Sequence, residues 1–155
     1  ESAAALDRAG NELMLAIEEL RELARGLHPV LLAKLGLAPA VKGVAARATV
    51  PVTLAELPEI RLDDAAEATA YYVVAEAVTN AQKHARASAI TVRVGVRHDT
   101  LRVVVSDDGD GGAIETDGSG LQGLRDRVEA IGGTFAVESG RGGTRITARI
   151  PALAA

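Results

Sequence analysis

The 155-residue chain has a net charge of −4, and 48% of its residues are hydrophobic but only 2% are aromatic. An acidic chain so poor in aromatic side chains lacks the basic patches and stacking platforms of nucleic-acid binders, so no nucleic-acid partner is expected. The absence of cysteine excludes disulfides, thiolate metal sites and a cysteine nucleophile. No apolar run reaches about 18 residues, so this part of the protein is expected to be soluble, without direct membrane contact.

A seven-residue repeat runs through residues 1–27, and its leucines are Leu6, Leu13, Leu20 and Leu27. An apolar seam at this spacing is typical of a coiled-coil helix, which needs a partner helix to bury the seam. Pro29 would end the helix, because the residue before a proline avoids the helical conformation. The chain begins inside this pattern without a methionine, so we expect it to be part of a longer protein. A second, shorter helix is predicted from Leu37 to Ala48.

Downstream, the hydrophobic periodicity alternates between that of helices and that of strands. An apolar stripe predicts a long helix from about Ala65 to Ala85, with Asp64 and Glu67 as a capping box at its start. A second helix is predicted at Gly123–Ile131. Period-two alternation predicts strands, which are Val50–Ala55, Ser88–Arg97, Leu101–Asp107, Thr134–Ser139 and Thr144–Ile150, the last two joined by a turn at Gly140–Gly143.

Strands with this alternation have one apolar and one polar face, which predicts a mostly antiparallel sheet with one face in water. Helices must then cover the apolar face, and the fold class is predicted to be α+β, a two-layer α/β sandwich. The water-facing positions are expected to include Arg93, Arg97, Arg102, Arg145 and Arg149.

Asp107 continues the apolar face of its predicted strand, after Leu101, Val103 and Val105. If that face is the core, the carboxylate points inward, where an unpaired charge is costly and a hydrogen-bond donor is needed. The exocyclic amino group of a purine is one such donor. The alternative is structural, with Asp107 capping the following loop by accepting hydrogen bonds from backbone N–H groups. This residue alone does not decide between the two.

A polar face is predicted on the long helix, where the spacing brings together Glu76, Asn80, Lys83 and His84. Amide and carboxylate oxygens suit Mg²⁺, and a lysine suits a phosphate as a point charge. Glu76 has the chemistry to orient or deprotonate an attacking group. The alternative is an ordinary solvated helix end that carries surface charges.

Glycine is concentrated between Asp107 and Gly123. Consecutive N–H groups ahead of a helix form a natural phosphate cradle, although the alternative for a lone glycine-rich segment is a flexible surface loop. Gly118–Gly123 also matches the dinucleotide-binding pattern G-x-G-x-x-G. That motif needs a strand directly before it and a βαβ unit around it, whereas an acidic loop precedes it here, so a dinucleotide site is disfavoured.

Four segments occur in order along the chain, and they are Glu76–Ala85, Asp107–Gly111, Gly118–Leu124 and Gly140–Thr144. Together they resemble the N, G1 and G2 boxes of the catalytic ATP-binding domain of sensor histidine kinases, within the gyrase/Hsp90/MutL ATPase superfamily. The resemblance covers residues 50–151. It implies a Bergerat-type fold, with a mixed, mostly antiparallel sheet covered by helices on one face.

Upstream, two further segments resemble the nitrate-sensor and desiccation-type subfamily of these kinases. Arg25–Pro29 and Leu35–Leu37 look like the second dimerization helix and its exit, and the short stretch between Gly112 and Gly118 fits the lid of that subfamily. The resemblance therefore implies two parts. Residues 1–48 would be the second helix of the dimerization hairpin with its connector, and residues 49–155 the catalytic ATP-binding domain.

For the nucleotide, the resemblance implies that Asp107 binds the adenine amino group and that Thr144 reaches the adenine edge beside it. The implied set of ATP-binding residues is Asp107, Gly109, Gly111, Gly118, Gly120, Leu121, Gly123, Leu124 and Thr144, whose glycines would let a lid close. Two positions depart from the family pattern. Asp108 stands where asparagine is usual, and Gly112 replaces a bulkier apolar residue.

For the chemistry, the resemblance implies that Asn80 holds Mg²⁺ on the triphosphate and that Glu76 assists phosphoryl transfer. Lys83 and His84 would lie near the phosphates. A phospho-accepting histidine is not apparent, because His28 precedes a proline and His98 falls in a predicted hairpin turn. The chain is therefore expected to bind ATP but to show little autophosphorylation by itself.

The parent protein is implied to be a two-component sensor kinase that passes phosphate from its own histidine to the receiver domain of a response regulator. A homodimer and a cytoplasmic location, including the cytoplasmic part of a membrane-bound sensor, are implied as well. Two alternatives share the predicted pocket. One is an anti-sigma-factor serine kinase, which needs no helical hairpin, and the other is a non-catalytic nucleotide-sensing signalling module.

Overall fold

The computed structural model describes Leu13, residues 30–113 and residues 120–155. The chain divides into two compact units, Glu1–Val30 and Leu31–Ala155. The predicted heptad helix lies outside the described residues, apart from Leu13, which is helical and exposed. The fold below is that of the second unit, and the functional boundary placed between residues 48 and 49 stays a prediction.

The described elements follow the predicted order. They are α1 (Val30–Leu35), α2 (Leu37–Arg47), β1 (Val52–Glu56), α3 (Asp64–Lys83), β2 (Ile90–Arg97), β3 (Thr100–Asp107), α4 (Gly120–Ala130), β4 (Thr134–Gly140) and β5 (Gly143–Pro151). Sequence periodicity located all of them except α1, a short helix directly after Pro29. Among the described residues, no helix combines the length and the apolar character needed to cross a membrane.

The strands form one five-stranded sheet in the order β1-β2-β3-β5-β4. β1 pairs with β2 in parallel, and the other neighbours are antiparallel, which confirms the predicted mixed and mostly antiparallel sheet. A tight turn joins β2 to β3 at His98 and Asp99, whose φ angles of 46° and 56° are both positive, as in the turns that suit two-residue hairpins. His98 is thus an exposed turn residue, as the sequence indicated.

Helices cover one face of this sheet and complete the predicted two-layer α+β sandwich. α3 lies centrally, since it contacts α2 and α4 as well as β2, β3 and β5. The alternating apolar residues of the strands, such as Val92, Val103 and Ile150, are buried beneath it. The opposite face is in water, and the predicted arginines on it are all exposed, namely Arg93, Arg97, Arg102, Arg145 and Arg149.

The start of α3 differs from the predicted capping box by one residue. Asp63, not Asp64, is the N-cap, and its Oδ1 accepts a hydrogen bond from the backbone N–H of Ala66 at 3.0 Å. Its second oxygen, Oδ2, accepts from the backbone N–H of Leu153 at 3.1 Å. Asp63 therefore caps the helix and also fixes the C-terminal segment, a long-range bond that sequence spacing does not reveal.

Glu67 has a different role from the one that the capping box assigned to it. Its side chain is only 2% exposed, and Oε1 accepts from the backbone N–H of Leu62 at 3.0 Å and from Nε of Arg61 at 3.1 Å. A buried carboxylate is tolerated only where donors satisfy it, and here a backbone amide and a guanidinium do so. Glu67 thus fixes the segment that leads into α3.

Replacing Glu67 with alanine is expected to lower the free energy of unfolding by about 1–3 kcal/mol, because the buried N–H of Leu62 loses its acceptor. Glu67→Gln keeps an acceptor oxygen and should cost less. Urea denaturation measures both. Glu59→Ala, an exposed glutamate in the same connection, is the control and should change stability by less than about 0.5 kcal/mol. Equal effects of Glu67→Ala and Glu59→Ala would contradict this role.

Candidate functional site

A cavity of about 490 Å³ opens where the second half of α3 faces the end of β3, the start of β5 and the start of α4. Its lining combines small apolar residues with a few polar ones. The lining residues are Ala77, Asn80, Ala81, His84, Ala85, Asp107, Gly111, Gly112, Ala113, Gly120, Leu121, Thr144 and Ile146. Its volume lies within the usual range of about 300–1,000 Å³ for small-molecule sites.

The wall contributed by α3 and the residues directly after it is made of alanines at four-residue spacing, Ala77, Ala81 and Ala85, all of them buried. Residues four apart share one face of a helix, and their short side chains leave the space that the cavity occupies. Asn80 is half-buried and His84 exposed, and both line the cavity from positions next to this alanine row. The structure therefore brings together two of the four polar residues that the sequence placed on this face.

The other two polar residues of α3 lie at the margin of the cavity or away from it. Glu76 is half-buried and lies against the first residue of α4, since a Cβ on Gly120 would collide with its carboxylate. A side chain at position 120 would therefore require the flexible end of Glu76 to move. Lys83 is exposed and lies outside the cavity lining.

Asp107 is the last residue of β3 and lines the cavity. It lies on the inward face of the strand, as the alternation of apolar residues predicted. Its Oδ1 accepts hydrogen bonds from the backbone N–H of Gly109 at 2.8 Å and of Thr144 at 3.3 Å. The structural interpretation is therefore confirmed, because the carboxylate caps the loop. Asp107 also lines the cavity, and its binding of a purine amino group stays a prediction. Within the described part of the chain, only Oδ1 is used, which leaves Oδ2 for a donor from a ligand.

The loop after Asp107 passes so close to its neighbours that glycine is needed twice. A Cβ on Gly109 would collide with the carbonyl oxygen of Ala85, and one on Gly111 with that of Gly140. Gly111 also has a φ of 72°, in the region that favours glycine. The N–H of Asp110 donates to the Ala85 carbonyl at 2.7 Å, so this loop is fixed to the connection between α3 and β2.

Asp108, which departs from the family pattern, strengthens the same attachment. Its Oδ1 accepts from the backbone N–H groups of Ser88 at 2.8 Å and Ala89 at 2.9 Å, and its Oδ2 accepts from the Ser88 hydroxyl. The hydrogen bond from the Ser88 side chain, followed by those from the two backbone amides, lowers the pKa of Asp108 below its ordinary value of 3.8. The carboxylate holds the loop in place and does not line the cavity.

A pH dependence of stability follows from Asp108. Because its pKa is lowered in the folded protein, its contribution is complete above about pH 3.8 and is lost as the pH falls through the folded pKa. Asp108→Ala should unfold at lower urea concentration than the wild type at pH 7, and the gap should narrow below pH 4. Asp110→Ala, in the same exposed loop, is the control. A gap of constant size from pH 7 to pH 3 would contradict this account.

Two neighbouring hydroxyl groups, those of Thr144 on β5 and Ser139 on β4, lie at the cavity. Thr144 is buried, and its Oγ1 lies 2.8 Å from Oγ of Ser139. Ser139 Oγ also accepts a hydrogen bond from the backbone N–H of Ala113 at 3.0 Å. Sequence reasoning included Thr144 but missed Ser139 and Ala113. The alternation of side chains along β4 could have located Ser139, because Ser139 follows Phe135 and Val137 on the inward face of this strand.

The remaining predicted nucleotide residues differ in their relation to the cavity. Gly111, Gly120 and Leu121 line the cavity together with Asp107 and Thr144, and Gly109 supports the loop beside it. Gly123 and Leu124 belong to α4 but do not line the cavity, and Leu124 is buried in the core. Gly118 lies outside the described residues. The functional roles of all these positions stay predictions.

The donor set offers little for a metal ion held by protein alone. Across residues 30–113 and 120–155, no group of three or more histidine, cysteine, aspartate or glutamate side chains is placed to hold a metal. Asn80 lines the cavity, and its side chain carries one amide oxygen. This fits a Mg²⁺ ion that keeps several waters and is bound mainly by phosphate oxygens of a substrate.

Comparisons with known proteins show the family of the chain. The model of the family described as "Histidine kinase-, DNA gyrase B-, and HSP90-like ATPase" matches residues 65–154. The sensor histidine kinase MctS of Rhizobium johnstonii is 33% identical over 97% of this chain and 35% of its own length. The sensor histidine kinase NarS of Mycobacterium tuberculosis is 31% identical over 93% of this chain and 36% of its own length.

A solved structure also matches. The histidine kinase domain of the blue-light activated histidine kinase from Erythrobacter litoralis EL346 superposes with a TM-score of 0.57 and 29% identity, over 72% of this chain and 56% of that domain. These findings confirm the resemblance and the fold class predicted from the sequence. The chain spans only about a third of the length of the two curated relatives named above.

Proposed function

Because the chain belongs to the histidine kinase-, DNA gyrase B- and HSP90-like ATPase family, we propose that its cavity is the phosphoryl-donor site of a sensor histidine kinase, with Mg²⁺-ATP as substrate. The observation that carries the proposal is Asp107, a carboxylate at the wall of an otherwise largely apolar cavity. Oδ1 is occupied by two backbone donors, while Oδ2 has none among the described residues.

Asp107 would select the base. An ionised carboxylate only accepts hydrogen bonds, so its Oδ2 is complementary to the exocyclic amino group of adenine and repels the oxygen at the same position of guanine. Because Oδ1 is fixed by Gly109 and Thr144, the second oxygen is oriented before the base arrives. Leu121 and Ile146 supply apolar surface for the purine ring in the same cavity.

Asn80 would act at the other end of the nucleotide. Its amide is proposed to hold Mg²⁺ together with phosphate oxygens and water, and the ion would neutralise charge on the triphosphate during transfer. His84, the C-cap residue of α3, lies one turn further along the chain and lines the cavity, where its imidazole would contact the phosphates. The exposed Lys83 would attract the polyanion at longer range, which does not require it to line the cavity.

Glu76 is proposed to orient or deprotonate the attacking imidazole of the acceptor histidine. It lies one helical turn before Asn80 on the same face of α3, so it is close to the proposed phosphate end of the cavity. His98 lies in the turn before β3, and Asp107 is the last residue of β3, so the two residues lie at opposite ends of this strand. His98 is therefore not proposed as the acceptor. The acceptor is proposed to lie on a dimerization helix of the parent protein.

For the parent, we propose a homodimeric, cytoplasmic or cytoplasm-facing sensor kinase that transfers phosphate to its histidine and then to a response-regulator receiver domain. The named relatives support this proposal, since they are sensor histidine kinases. They favour it over an anti-sigma-factor serine kinase. A non-catalytic nucleotide-sensing module would differ by binding ATP without transferring its phosphate to a histidine.

Isothermal titration calorimetry tests the proposed site directly. The wild type should bind ATP with micromolar to millimolar affinity in the presence of Mg²⁺. Asp107→Asn should weaken binding by at least about tenfold, because it removes a charge-assisted hydrogen bond and turns a donor toward the base amino group. Asp110→Asn is the matched control and should bind as the wild type does. Equal affinity of Asp107→Asn and the wild type would refute the assignment of Asp107.

The role of Asn80 has a separate signature, the ratio of ATP affinities with and without Mg²⁺. Asn80→Ala should reduce this ratio, because the amide oxygen is lost. Asn80→Asp should raise it, because a carboxylate binds Mg²⁺ but repels the triphosphate when Mg²⁺ is absent. Thr79→Ala serves as the control, because the Thr79 hydroxyl bonds the Ala75 carbonyl and lies outside the cavity lining. An unchanged ratio in the Asn80 variants would exclude Asn80 as a ligand.

A further inference from the structure

Ser139 contacts both Thr144, in the proposed base site, and Ala113, in the loop that follows Asp107. Its Oγ lies 3.0 Å from the backbone nitrogen of Ala113 and 2.8 Å from Oγ1 of Thr144. A backbone amide can only donate, so Ser139 accepts from Ala113. The direction of the second bond is open in the protein alone, because either hydroxyl can be its donor.

A bound adenine would settle that direction. When the amino group of adenine donates to Asp107, the neighbouring ring nitrogen N1 can face Thr144, which lines the same cavity and whose amide bonds Asp107. N1 is an acceptor and needs a donor. The Thr144 hydroxyl can donate to it, directly or through one water, only if the same hydroxyl does not donate its hydrogen bond to Ser139.

We propose that Ser139 is a positioning residue that couples recognition of adenine N1 to the backbone of Ala113. The inference rests on the proposed nucleotide site. The donors then run in one direction, from the Ala113 N–H to Ser139, from Ser139 to Thr144, and from Thr144 to N1. Hydrogen bonds aligned in this way polarise and strengthen one another. Adenine thereby strengthens the hydrogen bond from the Ala113 N–H to Ser139, and Ala113 also lines the cavity.

A base with a proton on N1, such as guanine or hypoxanthine, reverses the second bond. Thr144 must then accept from the base and donate to Ser139. Ser139 accepts two hydrogen bonds, and its own proton turns to water, because Ser139 is exposed. The aligned series is broken, so the loop is held less firmly. Ser139 thus adds to the base selectivity that Asp107 provides, although it touches no part of the nucleotide.

The test compares ADP with 1-deaza-ADP, in which N1 is replaced by a C–H group, by calorimetry in the presence of Mg²⁺. The wild type should bind 1-deaza-ADP about fivefold to tenfold more weakly, as expected for one lost hydrogen bond. Ser139→Ala should bind ADP about threefold more weakly and should reduce the ratio of the two affinities at least about twofold. Ser139→Thr keeps the hydroxyl and should restore the ratio.

Ser106→Ala is the matched control, because Ser106 precedes Asp107 on β3 and lies on the opposite face of the sheet. A second readout is hydrogen exchange of the Ala113 amide. ADP should slow this exchange more than 1-deaza-ADP does in the wild type, and the difference should vanish in Ser139→Ala.

Three outcomes would overturn the inference. If Ser139→Ala weakens both ligands equally, Ser139 only supports the structure. If the wild type binds ADP but does not discriminate against 1-deaza-ADP, Thr144 does not contact N1, and the proposed nucleotide site stands without the coupling. If the wild type binds neither ligand, the proposed function itself fails, and the inference falls with it.

Discussion

The proposed site depends on one half-buried carboxylate that caps a loop and also lines the cavity. Asp107 accepts two backbone hydrogen bonds through Oδ1, from Gly109 in its own loop and from Thr144 on the neighbouring strand. These bonds lower the cost of placing a charge at the edge of the core and fix its orientation. The second oxygen is thereby directed at the cavity with little freedom left to lose when a donor binds. Structural capping and the proposed ligand recognition would be two uses of the same group.

The surroundings of Asp107 are arranged to keep the loop after it in one position. Glycine at 109 and 111 permits close backbone contacts with Ala85 and Gly140 that any side chain would prevent. Asp108 then binds the connection between α3 and β2 from the exposed side. Because α3 carries Asn80 at its cavity face and β3 carries Asp107, this attachment holds the two proposed ends of the nucleotide at a constant separation.

Much of this arrangement was predictable from local sequence patterns. Period-two alternation predicted the strands and the water-facing arginines, and continuing it by one step placed Asp107 at the inward face. Helical spacing placed Asn80 and His84 together. What could not be predicted depends on contacts between distant residues: the bond from Asp63 to Leu153, the burial of Glu67 under Arg61, and the parallel pairing of β1 with β2. Lys83 shows the opposite error, since spacing shared with Asn80 does not ensure that a side chain lines the cavity.

The central claim is that Oδ2 of Asp107 receives the amino group of adenine. A crystal structure of the chain with ADP and Mg²⁺ tests it most directly. The account predicts the adenine amino nitrogen at about 2.8–3.2 Å from Oδ2, the ring between Leu121 and Ile146, and the phosphates toward Asn80. A nucleotide bound with its base outside this cavity, or with Oδ2 of Asp107 bonded only to water, would contradict it.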